Sequence, residues 1–239
     1  MKSIGGKHPT IFEIIIIVIG FLLAGVVAGV INIFCNNGDV SAAIARILVG
    51  LTFLAIFHRE FKLGNSFKGV MPMLPLLLLA LYKIPYHFIS GGEAINAITI
   101  SVLLIGLAPA VFEEVLFRGI FISNLKKKYN SPMAVVLISA VVFSLVHLTN
   151  LGGMDVLSLL LQLIMAFVTG IVFGAIYLYT EDLASVIIAH FAIDVLGRIF
   201  IGGATTPYYF LAIMIALLIF EAVYGVLIVR KIAAKNEET

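Results

Sequence analysis

The chain has 239 residues, of which 62% are hydrophobic and only 12% charged, with a net charge of +2. Soluble domains run at about 45–50% apolar and about 25% charged, so a soluble domain, a disordered chain and a nucleic-acid-binding domain are all excluded. Its one cysteine, Cys35, allows neither an internal disulfide nor a Cys-based zinc finger. A polytopic membrane protein remains. A spanning helix needs about 20 apolar residues. Apolar runs bounded by Gly, Pro, Asn or charge predict eight spans in chain order: Ile11–Ile33, Val40–Phe57, Val70–Tyr82, Ala97–Phe121, Met133–Leu148, Val156–Tyr179, Leu183–Ile201 and Tyr208–Val229. The third is short and carries Pro72 and Pro75, and the fourth has charges inside it. The first is longer than the core of a signal peptide and lacks a cleavage site, so it reads as a span. Together they predict one all-α transmembrane bundle over residues 1–239, with lipid as its solvent.

Positive charge in short loops sets orientation. With the N-terminus in the cytoplasm, eleven of the fifteen Lys and Arg fall on that side: Lys2, Lys7, Arg59, Lys62, Lys68, Lys126, Lys127, Lys128, Arg230, Lys231 and Lys235. Only Lys83 falls outside, and Arg46, Arg118 and Arg198 lie within spans. Both termini are therefore expected in the cytoplasm, in a multi-pass protein of the cell membrane. Gly25 and Gly29 in the first span, and Gly170 and Gly174 in the sixth, have the small-xxx-small spacing of helix-packing sites.

An ionisable group inside a bilayer costs about 3 kcal/mol or more and marks function by default. The spans hold Arg46, Glu113, Glu114, Arg118, His147, His190, Asp194, Arg198 and Glu221. Glu114 and Arg118 lie four apart on one helical face and can pair. Glu113 is turned about 100° away and is left free to face another helix. His147 closes the fifth span. His190, Asp194 and Arg198 line one face of the seventh, which must look into the bundle or into a wet cavity. A carboxylate and a His can deprotonate a water, and a second His with a polar partner can hold an oxyanion. Glu113, His147, His190 and Asp194 are also acceptable metal ligands, for zinc above all. Neither HExxH nor GxSxG occurs in the chain.

FEEVLFRG (Phe112 to Gly119), FSLVH (Phe143 to His147) and HFAID (His190 to Asp194) resemble, in order and spacing, the EExxxR, FxxxH and HxxxN/D motifs of the CPBP intramembrane proteases. That family joins the CAAX prenyl proteases of the Ras-converting-enzyme type to the bacteriocin-immunity (Abi) proteins. The resemblance covers about residues 104–199. It implies a CAAX-type endopeptidase in which Glu113 activates water, His147 assists, His190 and Asp194 occupy the oxyanion positions, and Glu114 and Arg118 order the site. It implies a lipidated or membrane-embedded peptide substrate reaching the site from the cytosol, and a glutamate-dependent reaction requiring no cofactor, although the family is often labelled metallopeptidase. The CAAX enzymes have Asn where this chain has Asp194, and an ionised Asp donates no hydrogen bond. Asp194 must then be protonated, orient His190, pair with Arg198 or bind a metal.

On straight helices Glu113, His190 and His147 lie roughly 20, 10 and 24 Å from the cytoplasmic ends, a spread that tilt and loose span ends would have to absorb. Two other readings stay open. A proton-coupled transporter would use the same residues as a relay, but the Pro72/Pro75 and Pro109 breaks do not fall in matching halves. A non-catalytic immunity protein would keep the polar core as structure.

Overall fold

The apolar runs become helices, and five of the eleven begin at a side chain that closes the first turn. The computed structural model describes residues 9–64, 69–92, 98–200 and 208–237. The helices are α1 (Pro9–Cys35), α2 (Gly38–Phe57), α3 (Val70–Met73), α4 (Leu77–Leu81), α5 (Lys83–Ile89), α6 (Ile100–Glu114), α7 (Ser123–Lys128), α8 (Pro132–Leu145), α9 (Val156–Thr180), α10 (Leu183–Ile199) and α11 (Tyr208–Glu237). Asn37, Thr99, Ser131, Asp155 and Asp182 cap α2, α6, α8, α9 and α10 through their side-chain oxygens. Glu181 ends α9 in the left-handed region, φ 52°.

The chain is an all-α, multi-pass membrane bundle. Among the described residues, six segments are long and apolar enough to cross: Ile11–Cys35, Gly38–Phe57, Ile100–Lys128, Pro132–Asn150, Val156–Thr180 and Tyr208–Lys235. They correspond to six of the eight expected spans. The other two take different forms. Val70–Tyr82 is broken into α3, a 3-10 turn at Leu74–Leu76 and α4, because Pro72 and Pro75 bring no N–H to the helical ladder. The run from Leu183 yields α10, 17 residues long, or about 26 Å at 1.5 Å per residue. Ala97 and Ile201, two expected span ends, lie outside the described residues, as do Lys2, Lys7 and Lys68.

Burial is inverted relative to a soluble protein. Leu22, Ile33 and Ile219 are exposed, whereas Glu114, Arg118 and Glu221 are wholly buried, as lipid solvation of the outer surface requires. The middle of the bundle is Val115–Ile122, which winds as a π-helix between α6 and α7 with all eight residues buried. Around it pack α1, α2, α8, α9 and α10. Gly50 lets α2 come so close to α6 that a Cβ there would lie 3.0 Å from the Phe112 backbone. Gly106 does the same for α6 against Val195 of α10. Gly170 and Gly174 touch α8 and the π-helix, but Gly25 and Gly29 face open space. The spacing in α1 is therefore no packing seam within this chain, because its glycines point away from the bundle.

Candidate active site

Two adjacent glutamates end α6 and meet different surroundings. Pro109 lies inside α6, and the helix changes from α to π winding directly after Glu114. A π segment inside an α-helix is rare and recurs at functional sites. It also holds more residues per turn, so the distance in depth from Glu113 to the Lys126 end shrinks.

Glu114 is fully buried. Its Oε1 accepts from Arg118 Nη1 at 2.9 Å and from His190 Nδ1 at 2.7 Å. The Arg118 guanidinium lies 4.4 Å from the centre of the Phe143 ring and 5.2 Å from that of Phe173, so cation–π contacts take the place of water. Phe173 also stacks on His190, with centroids 5.4 Å apart. The difference in depth expected between Glu113 and His190 is thus overcome: the EExxxR and HxxxD segments touch through Glu114 and His190.

With Nδ1 given to Glu114, His190 presents Nε2 towards Asp194, whose Oδ2 is 3.8 Å away. That is too long for a hydrogen bond. His147 stands in the 3-10 turn after α8 and gives Nδ1 to the Phe143 carbonyl at 2.9 Å. A carbonyl only accepts, so Nδ1 carries the proton, and in the neutral ring Nε2 keeps its lone pair. The half-buried Glu113 has no hydrogen bond or ion pair among the described residues, and it feels the charges of His190, His147, Asp194 and Arg46.

Two cavities meet at this cluster. Glu113, His147, Gln162, His190 and Asp194 line both. One, about 300 Å³, adds Arg46, Thr149, Asn150 and Arg198. The other, about 620 Å³, adds Phe143, Leu161, Met165, Phe173 and Ile193, with Lys83 and Tyr86 at its edge. The structure therefore gathers Glu113, His147, His190 and Asp194 around shared space, and sets Glu114 and Arg118 behind them in a dry layer. No three His, Cys, Asp or Glu side chains converge closely enough to hold a metal ion among the described residues.

Several residues of the site escaped the sequence reading. Gln162, the one amide in an apolar span, takes the Asn150 Nδ2 hydrogen bond at 2.9 Å and lines both cavities. Its polarity was a usable signal. Phe173, one more aromatic in an apolar helix, gave none.

Residues 95–196 match the family model described as Type II CAAX prenyl endopeptidase Rce1-like. That stretch is similar to the CAAX-protease family. No curated protein and no solved structure matches the chain. The Rce1-like segment contains all of the EExxxR, FxxxH and HxxxD residues described above, and it leaves α1 to α5 and α11 outside it.

Proposed function

We propose that this protein is an intramembrane endopeptidase that hydrolyses a peptide bond of a lipidated, CAAX-like or membrane-embedded substrate. The observation that carries the reading is the meeting of an unpaired glutamate, a His with a free Nε2 and a second His at the junction of two cavities. Glu113 takes a proton from water, with His147 Nε2 sharing it. The hydroxide adds to the scissile carbonyl carbon, and His190, as an imidazolium with its Nδ1–H held by Glu114, donates Nε2–H to the oxygen that becomes negative. Asp194 orients that ring. When the tetrahedral intermediate collapses, the C–N bond breaks and the proton held by Glu113 passes to the leaving amine. Water is thereby divided between the new carboxylate and the new amine.

Glu114 and Arg118 are positioning residues in this reading: Glu114 holds His190 Nδ1–H and balances the charge of the ring, and Arg118 holds Glu114. The reaction requires no cofactor. The test is cleavage of a fluorogenic lipidated peptide by the purified protein, with Glu113→Ala and His147→Ala. Both variants should lose cleavage while keeping their elution profile and melting temperature. Full cleavage by both would end the reading. Loss of gradient-driven uptake with no cleavage in the parent would favour a carrier, and cleavage that stops with chelator and returns with zinc would reverse the cofactor-free assignment.

A further inference from the structure

We propose that the Glu113 cluster is entered from the membrane face opposite the chain termini, and that its substrate is a lipidated or membrane-embedded peptide presented in the outer leaflet. The inference rests on the endopeptidase reading above and names the leaflet that supplies the substrate. It reverses the cytosolic entry that the family resemblance implies.

The helices give the bundle two different ends. One end gathers the start of α1, the ends of α2, α7, α9 and α11, and the starts of α8 and α10. Ion pairs tie it together: Lys62 and Lys126 share Glu181, and Lys127 holds Glu60. Lys231, near the end of α11, lies 5.3 Å from the centre of the Tyr179 ring. Basic residues in short loops mark the cytoplasmic side, so this end faces the cytoplasm. The other end gathers the ends of α1, α8 and α10 and the starts of α2, α6, α9 and α11. The α5 segment belongs there too. Tyr82, just before it, donates its hydroxyl to the Phe210 carbonyl at 2.7 Å, and His87 within it lies 6.0 Å from the Phe200 ring.

Both cavities run from the cluster towards this second end. The smaller adds Thr149 and Asn150, in the turn that follows α8, and Arg198, one residue before the end of α10. The larger follows one face of α9 from Phe173 past Thr169 and Gln162 to Ser158, two residues from the start of that helix. That is about 22 Å of helix. Lys83 of α5 also lines it. The cluster leans the same way: Asp194 is five residues from Ile199 and eleven from Leu183, or about 8 Å against about 16 Å.

Towards the lysines the way is closed. Phe117, Arg118, Phe121 and Ile122 follow Glu114 in the chain, Tyr177 closes over Ser123, and all five are at most 1% exposed. A third cavity, about 680 Å³, lies at the basic end beside Lys126, Lys127 and Glu181, and no residue of the cluster lines it. A peptide arriving from the cytosol would have to unpack this layer and part Arg118 from Glu114. Close-packed interiors resist such opening. A peptide arriving from the outer leaflet meets space that already exists.

The experiment uses the full-length protein in sealed, right-side-out membrane vesicles. The substrate is a lipidated peptide carrying a sulfonated fluorophore that cannot cross the bilayer, added outside. The parent should cleave it at the same rate before and after permeabilisation, and Glu113→Ala should cleave it under neither condition. A second measurement fixes the orientation. Cys35 is the only cysteine, so in a Cys35→Ala background the exposed positions Thr149, Ser158 and Asn130 are replaced one at a time by Cys. A membrane-impermeant maleimide should label Thr149→Cys and Ser158→Cys in sealed vesicles, and Asn130→Cys, at the basic end, only after permeabilisation. Cleavage that appears only on permeabilisation overturns this inference and leaves the endopeptidase reading standing. So does labelling of Asn130→Cys in sealed vesicles in place of the other two. Absence of cleavage in permeabilised vesicles and by the purified parent overturns both. If a cysteine variant does not fold, the comparison of cleavage rates in the parent decides alone.

Discussion

The dry layer behind the cluster and the cavity in front of it begin at neighbouring residues. Behind, Glu114 has Arg118, His190 and the rings of Phe143 and Phe173 as surroundings. In front, Glu113 has no bonded partner among the described residues and lines both cavities. Burial explains the difference. Charge without water must be matched by charge or hydrogen bonds at once, whereas charge beside a cavity can wait for a ligand. One peptide step along α6 therefore separates a group that holds the fold from a group free to react.

The largest effects should divide along that line. Glu113→Gln is expected to lower kcat by about 10²–10⁴, the range for loss of a general base, with no change in melting temperature. A fall in stability equal to that of a Glu114 variant would erase the distinction. Glu114→Ala should lower stability as well as activity. It leaves Arg118 buried without its counter-charge, and breaking such a pair costs about 3–5 kcal/mol. Thermal unfolding in detergent measures it. The double variant Glu114→Ala/Arg118→Met should recover most of the loss in stability, because no lone charge then remains. It should recover little activity, because His190 has lost the acceptor for Nδ1.

Which parts of this layout were legible in the sequence follows from range. The Glu114–Arg118 pair is a contact four residues apart, and helical spacing alone predicts it. The membrane class follows from composition, and six spans follow from uninterrupted apolar runs. Two features were not legible. The π winding of Val115–Ile122 depends on how five helices pack around it, and no residue in VLFRGIFI announces it. Straight-helix arithmetic therefore misplaced Glu113 and His190 in depth. The Phe143–Arg118–Phe173 stack joins three helices, and a phenylalanine in an apolar run looks the same whether it meets lipid or a guanidinium. Pro72 and Pro75 were visible, and the broken segment they produce is what their missing N–H groups demand.

The helix spacing that joins the two regions gives a smaller effect. A methyl group at Gly106 would lie 2.7 Å from Val195 Cγ2, and Val195 adjoins Asp194. Gly106→Ala should push α10 away from α6, costing about 1–3 kcal/mol as overpacking does. It should also lower kcat, because small misplacements of reacting groups are expensive. An unchanged kcat at reduced stability would show that the cavity tolerates movement of α10.

The smallest effect belongs to charge that is far from both. Glu181, at the end of α9, accepts from Lys126 at 2.6 Å and Lys62 at 2.5 Å. The Lys126 bond, with that of Lys62, holds its carboxyl down at about 2, against an ordinary 4.5. A folded-state value below the unfolded one contributes stability that is complete above about pH 4.5 and is lost as pH falls towards 2. The melting temperature of the parent should therefore drop between pH 5 and pH 3 by more than that of Glu181→Gln. The pair is solvent-exposed, so the variant should lose less than about 1 kcal/mol at pH 7, and high salt should shrink that difference further. Peptide cleavage at pH 7 should match the parent. If Glu181→Gln reduced cleavage as strongly as Gly106→Ala, the lysine cluster would have to be coupled to the cavity through α10, whose N-terminal cap, Asp182, is the next residue in the chain.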